Sequence, residues 1–322
     1  MNYIHFLTKP FRGLLFSLCL FVMSANAQDV NKIGQELIKK GDYREAVKHY
    51  SKAIEKDENN ASYFFNRGMA YAHSKDIKNA YEDFTKAIHF DNNYSEAYSE
   101  RARILTLLNM DQDAINDYDM AIKYAPTDSL RYNNMLERSS PKLSMRNFNG
   151  VIEDCEAVLA RDSMNRGALI NMSMAKLSID KKEEAANLIR RILNKNPKDT
   201  AATMDMGFIQ LKMGKYDSAQ VYLERTIALD SKEAYAYSNL SFVKMKKGDL
   251  KGALKDVNYS IKLAPGNSYA YYNKALIYIE MTDDEKACIE LQTAIKKGFT
   301  ERYGNDVIDL IDKNCGKKPT HK

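Results

Sequence analysis

The sequence has no tryptophan, and its 322 residues include only 6 prolines, 14 glycines, 4 cysteines and 5 histidines. Each scarcity excludes something. So few chain breakers argue against an all-β sandwich or barrel and point to many helices with short connections. His49, His73, His89 and His321 have no Cys or His at ligand spacing, so no metal site is predicted. There is no Walker A loop, no GxSxG and no HExxH. Acidic groups such as Asp283-Asp284-Glu285 and Asp111-Gln112-Asp113 read as helix starts, where carboxylates favour the helix dipole. The expectation is therefore a chain that is not an enzyme and needs no cofactor. A mean hydropathy of -0.52 excludes a polytopic membrane protein, and the 44% hydrophobic content excludes a disordered chain. Net charge is +5 with both signs interspersed, and no Lys/Arg block is dense enough for a nucleic-acid surface.

The one apolar run lies near the start. Lys9 and Arg12 precede Leu14 to Met23, and Ala25-Asn26-Ala27 supplies the small-x-small pattern of a signal peptidase site. The run is about half of the roughly 20 residues that span a bilayer, so residues 1–27 read as a cleaved signal peptide rather than an anchor. An exported, periplasmic or envelope-associated chain starting at Gln28 is expected. Three cysteines would remain, an odd number at wide spacing, which is not a disulfide framework. Core packing is expected for Cys155 and Cys288, and a free thiol for Cys315. Asn-x-Ser sequons at Asn60, Asn93, Asn171, Asn239 and Asn258 lie in repetitive helical patterns, which fits a bacterial chain that is not glycosylated.

What is present is a repeat. Ala46, Ala80 and Ala114 are 34 residues apart; Val151 follows after 37, and steps of 34 then reach Ala185, Ala219, Ala253 and Ala287. Twelve residues before each stands a small residue: Gly34, Gly68, Ala102, Ser139, Ser173, Gly207, Ser241 and Ala275. Four residues after each stands a bulky or apolar one: Tyr50, Phe84, Tyr118, Cys155, Ile189, Leu223, Val257 and Leu291. The pattern describes two helices per unit, with the small residue permitting close approach and the other two sharing one face of the second helix. Lys40-Gly41-Asp42, Met213-Gly214-Lys215 and Lys247-Gly248-Asp249 mark turns between the helices, and Pro126, Pro197 and Pro265 end second helices.

These positions resemble the tetratricopeptide repeat family, whose units carry a small residue in the first helix and Ala-x-x-x-aromatic in the second. The resemblance covers about 27–301. Phe64, Tyr98, Tyr237 and Tyr271 take the family's Trp position. It implies an all-α right-handed superhelical solenoid of eight helix pairs, with repeats one to three and a connecting insertion over 28–131 and repeats four to eight over 132–301. A capping helix is expected over 302–315 and a disordered tail over 316–322. Pro141 falls inside the first helix of repeat four and is expected to kink or break it.

The family also implies that first helices line a concave groove. Counted from the small residues, that face carries Met174, Met204, Phe208, Tyr235, Phe242, Met245, Tyr269 and Tyr272, an apolar lining suited to a peptide or helical segment of a partner. Asn66, Asn171, Asn239 and Asn273 each lie two residues before the small residue, where an amide can bond an extended backbone. The competing reading buries these side chains against the cap, a second copy or the coil of the solenoid itself. The expected function is a non-catalytic protein-binding scaffold. The alternatives are a self-assembling homodimer, or a carrier or accessory protein holding a hydrophobic ligand.

Overall fold

The computed structural model describes residues 28–315, so the expected signal peptide and C-terminal tail lie outside the described residues. Every regular element described is helical. In chain order these are α1 (28–40), α2 (Tyr43–Ile54), α3 (Ala61–His73), α4 (Ile77–Phe90), α5 (Ser95–Leu107), α6 (Asp111–Lys123), α7 (Asp128–Ser144) and α8 (Phe148–Arg161). There follow α9 (Arg166–Ser178), α10 (Lys182–Lys195), α11 (Thr200–Lys212), α12 (Tyr216–Leu229), α13 (Ala234–Lys246), α14 (Leu250–Leu263), α15 (Ser268–Glu280) and α16 (Asp284–Lys296). Two short helices, α17 (Phe299–Tyr303) and α18 (Asp306–Asn314), complete the list. None of the described helices is long and apolar enough to cross a membrane. The chain divides into two compact units between Val158 and Leu159, inside α8.

Each repeat is an antiparallel pair whose turn has one geometry. The residue seven after the small residue is left-handed in all eight repeats: Gly41, Gly214 and Gly248, but also Lys75, Asn109, Arg146, Asp180 and Thr282. The next amide then bonds back to the carbonyl of the residue five before it, as in Asp42 to Leu37 (2.9 Å), Asp76 to Tyr71 (2.9 Å) and Asp283 to Tyr278 (2.9 Å). This is the Schellman closure of a helix C-terminus. Glycine marks only three of these turns, so in the other five the conformation is imposed by closure of the pair against local preference.

The pair closes where the small residue meets the bulky one sixteen later. A Cβ on Gly68 would stand 2.8 Å from Phe84 Cε1, and one on Gly207 2.9 Å from Leu223 Cγ; on Gly34 it would overlap the Tyr50 ring. The recurrent Ala or Val residues and their bulky partners four later are buried throughout, Cys155 among them.

Beside that contact runs a seam the repeat pattern did not reveal. The residue before the small one faces the residue before the bulky one. In repeats two to four these are Arg and Asp: Arg67 with Asp83 (2.7 and 2.8 Å), Arg101 with Asp117 (2.7 and 2.8 Å) and Arg138 with Asp154 (3.0 and 2.5 Å). Each guanidinium also reaches the second helix of the preceding repeat, at Ser51 (3.0 Å), Thr85 (3.3 Å) and Asp119 respectively. Repeat eight uses Lys274 and Glu290 (2.7 Å). Repeats five and six carry Met172 with Leu188 and Met206 with Tyr222 at these places.

Two expectations are corrected. Pro141 neither breaks nor ends α7, which runs for 17 residues against 13 in α5 and α9. The three inserted residues are absorbed as an added N-terminal turn. Pro141 lies in the last turn and forgoes one bond, while the end is held by Asn147 N–H to Lys142 C=O (2.8 Å) and by Lys142 to Asp154 (2.7 Å). The expected capping helix is present as α18, preceded by the short α17 and parted from it at Gly304 with φ 94°. Phe299 and Val307 bury themselves against Ala275, Leu291 and Ala294. Cys288 and Cys315 are not a core residue and a free thiol: they form a disulfide, with Cα atoms 5.6 Å apart, that ties α16 to the end of α18. Their spacing of 27 residues hid a contact that only the fold-back of the cap creates.

Removing one member of a buried ion pair strands a charge, whereas replacing both by apolar groups need not destabilise. Arg101→Ala should lower the unfolding free energy by about 3–5 kcal/mol in urea titrations. Arg101→Met with Asp117→Leu, which installs the arrangement of repeat five, should leave it within about 1 kcal/mol of the parent. Cys288→Ser with Cys315→Ser should cost about 3 kcal/mol, with added hydrogen exchange confined to α17 and α18.

Candidate partner-binding surface

Within the second unit α11 packs on α13, and α13 on α15, so first helices stand side by side. On each helix the residues six and three before the small residue, and one after it, share a face turned away from the second helix. The sequence-predicted lining divides on that geometry. Met174 and Tyr235 are half exposed, and Met204, Phe208 and Phe242 are partly covered. Lys212 stands over the Phe208 ring (5.3 Å) and Lys246 over Phe242 (5.4 Å). Asn171 and Asn239 are also partly covered.

Five predicted residues are not free to line a groove. Met245 lies four after Ser241, hence nearly beneath it on the helix, and is buried with Ala253, Val257, Ala270 and Ile277. Tyr269 and Tyr272 are covered by the cap, with ring centroids 5.8 and 4.5 Å from Phe299, and Tyr303 adds a ring 5.0 Å from Tyr269. Asn273 is fully buried and donates to the Ser238 carbonyl (3.1 Å) and hydroxyl (3.0 Å). Asn66 is buried too, donating to Asn31 Oδ1 (3.1 Å) and accepting from Gln35 (3.4 Å). These amides bolt neighbouring repeats together.

The signal for a bolt was in the sequence. Asn66 and Asn273 have a polar residue 35 positions earlier, Asn31 and Ser238. Ser99 and Asn134 repeat the spacing with a 2.8 Å bond. The residue 35 before Asn239 is Met204, and Asn239 makes no hydrogen bond within the described chain.

Sequence reasoning missed Asp205. It holds the ladder place two before Gly207, and the residue 35 earlier is Ile170. It is partly covered and has no hydrogen bond or ion pair among the described residues. The neighbouring cation, Arg166, is committed to Asp199 by a bidentate pair (2.6 and 2.8 Å). That bond holds the Asp199 carboxyl below its ordinary value. Burial pushes the Asp205 carboxyl the other way, up to about 6. Among the described residues no group of His, Cys, Asp or Glu is placed to hold a metal ion.

A raised carboxyl stabilises nothing when ionised. At low pH the folded and unfolded states both carry the proton, and a penalty accrues as pH rises from the ordinary 3.8 through about 6. Asp205→Asn should therefore stabilise the chain by about 1–2 kcal/mol above pH 7, a figure reduced for partial exposure, and by nothing near pH 3. Thermal melts of the two proteins across pH 3–8 check this.

Comparison with known proteins bears on the fold. Models described as TPR repeat and tetratricopeptide repeat match residues 34–75, 183–240, 61–94 and 268–296. A chain in the crystal structure of the APC/C hetero-tetramer Cut9–Hcn1 is similar at 17% identity and a TM-score of 0.60, over 76% of this chain and 48% of that one. This chain thus covers about half of that relative's length. A thermophilic TPR protein of Thermus thermophilus is similar at 18% identity and a TM-score of 0.50, over 57% and 99%. A tetratricopeptide repeat protein of Parabacteroides merdae is similar at 15% and 0.48, over 88% and 97%. The chain is an all-α solenoid that carries tetratricopeptide repeats over the matched residues.

Proposed function

We propose that the chain is a non-catalytic scaffold of the bacterial cell envelope that binds an extended segment of a partner protein along the first helices of repeats five to seven. The observation that carries this reading is the row Met174, Met204, Phe208, Tyr235 and Phe242, which stays accessible beside Asn239, an amide with no partner of its own. Scaffolds of this repeat type mediate protein–protein interaction, and their side-by-side helices offer an extended surface. The apolar and aromatic groups take up side chains of the segment. The Asn239 amide supplies both a donor and an acceptor for its backbone. The Cys288–Cys315 bond supports an oxidising compartment, in keeping with the leader-like start of the sequence.

The test is a pull-down from bacterial envelope extract with three baits. These are the parent chain from Gln28, a variant with Phe208→Ser, Tyr235→Ser and Phe242→Ser, and a control with Val221→Ser and Ile289→Ser on second helices. A protein retained by parent and control but lost from the triple variant is the expected result. In a follow-up, Asn239→Ala should weaken its binding by about 1–3 kcal/mol without loss of helical signal. Identical capture by all three baits would overturn the reading. So would a concentration-dependent dimer that only the triple variant loses, which would show the row to be a self-association surface.

A further inference from the structure

Asp205 poses a question the peptide-groove reading does not answer. An ionised carboxylate taken partly out of water is costly unless a cation or several donors meet it. The acids in the first-to-second helix seam have such a partner: Asp83, Asp117, Asp154, Asp256 and Glu290 each face an Arg or Lys, whereas Asp205 lies at the ladder place beside that seam. Asp205 has none. Arg166 lends it only through-space attraction, while its Nε and Nη2 groups bond Asp199. Lys212, two turns along the same helix, lies over the Phe208 ring. The ladder place that holds an amide in repeats five, seven and eight thus holds an uncompensated negative charge in repeat six.

We propose that Asp205 receives a lysine or arginine side chain of the bound segment, so that the surface selects partners with a basic residue at the register of repeat six. This rests on the peptide-groove reading and adds its charge preference. The surroundings suit such a side chain. Met204 and Phe208 flank Asp205 on α11, giving apolar surface for the aliphatic stem of Lys or Arg while the charged end meets the carboxylate. A charge-assisted bond formed only on binding would remove the cost of the bare carboxylate and confer selectivity. The amide of Asn239 lies in the equivalent place one repeat on, positioned to hold backbone next to the basic residue. A neutral or acidic segment at that register would leave the carboxylate unmet.

The experiment is selection of phage-displayed random peptides on the chain from Gln28, on Asp205→Asn, and on the Phe208→Ser, Tyr235→Ser, Phe242→Ser variant. The parent should enrich peptides with Lys or Arg at one fixed distance from their apolar residues. In the best synthetic peptide, changing that residue to Gln should weaken binding to the parent about tenfold or more, and binding to Asp205→Asn less than about threefold. Asp205→Lys should shift enrichment toward Asp or Glu at the same place. Enriched peptides with no fixed basic residue, or an equal loss on parent and Asp205→Asn, would overturn the charge preference and leave the groove standing. Failure of the parent to enrich any peptide over the triple variant would overturn the groove and the preference together. Asp205→Asn is nearly isosteric, and its melting curve separates lost selectivity from lost fold.

Discussion

The structure depends on one close approach, that of the small residue in each first helix to the bulky residue sixteen positions later. Gly34, Gly68 and Gly207 face Tyr50, Phe84 and Leu223 with no room for even a methyl group. Everything else in a repeat follows from holding the two helices that close. The turn must bring them together within three residues, so its middle residue becomes left-handed even where it is Lys75 or Thr282. Glycine would adopt that conformation without strain, and its absence from five turns shows that packing outweighs local backbone preference.

The contact allows latitude beside it. The flanking seam is ionic in repeats two, three, four and eight and apolar in five and six, with the same backbone on either side. A bidentate Arg–Asp pair and a Met–Leu pair fill similar space, and their net contributions differ less than their chemistry suggests, because desolvation offsets much of the Coulombic gain. The arginines add a tie to the preceding repeat through Ser51, Thr85 and Asp119. In the repeats where the seam is apolar, clusters such as Leu169, Ile189, Ala202 and Met206 join neighbours instead.

Repeats contact only their neighbours, so what one repeat presents to solvent is settled by the next. Asn66 and Asn273 meet a polar group one repeat back and become part of the interior. Asn239 and Asp205, in the same place, have Met204 and Ile170 at that spacing and make no hydrogen bond among the described residues. The last repeat has no following repeat and is closed by α17, α18 and the Cys288–Cys315 bond, which also covers Tyr269 and Tyr272. Within the second unit the apolar residues of that face left accessible therefore lie on the first helices of repeats five to seven.

The repeat length, the pairing of helices and the three buried rows were legible in the sequence, because eight units at a 34-residue period, lengthened once to 37, specify local geometry at every turn. The ion-pair seam was legible too in principle, since its sixteen-residue spacing matches that of the small and bulky rows. What the sequence by itself did not determine was anything that required two distant parts of the chain to meet. The disulfide joins residues brought together by a fold-back at Gly298 and Gly304, both left-handed glycines. The continuity of α7 through Pro141 was decided by a neighbouring Lys142–Asp154 pair and a closed turn, which a rule about isolated helices omits. The division of one asparagine ladder into bolts and open groups was decided by side chains 35 residues away. Periodicity determines which residues share a face, and only tertiary packing decides what that face meets.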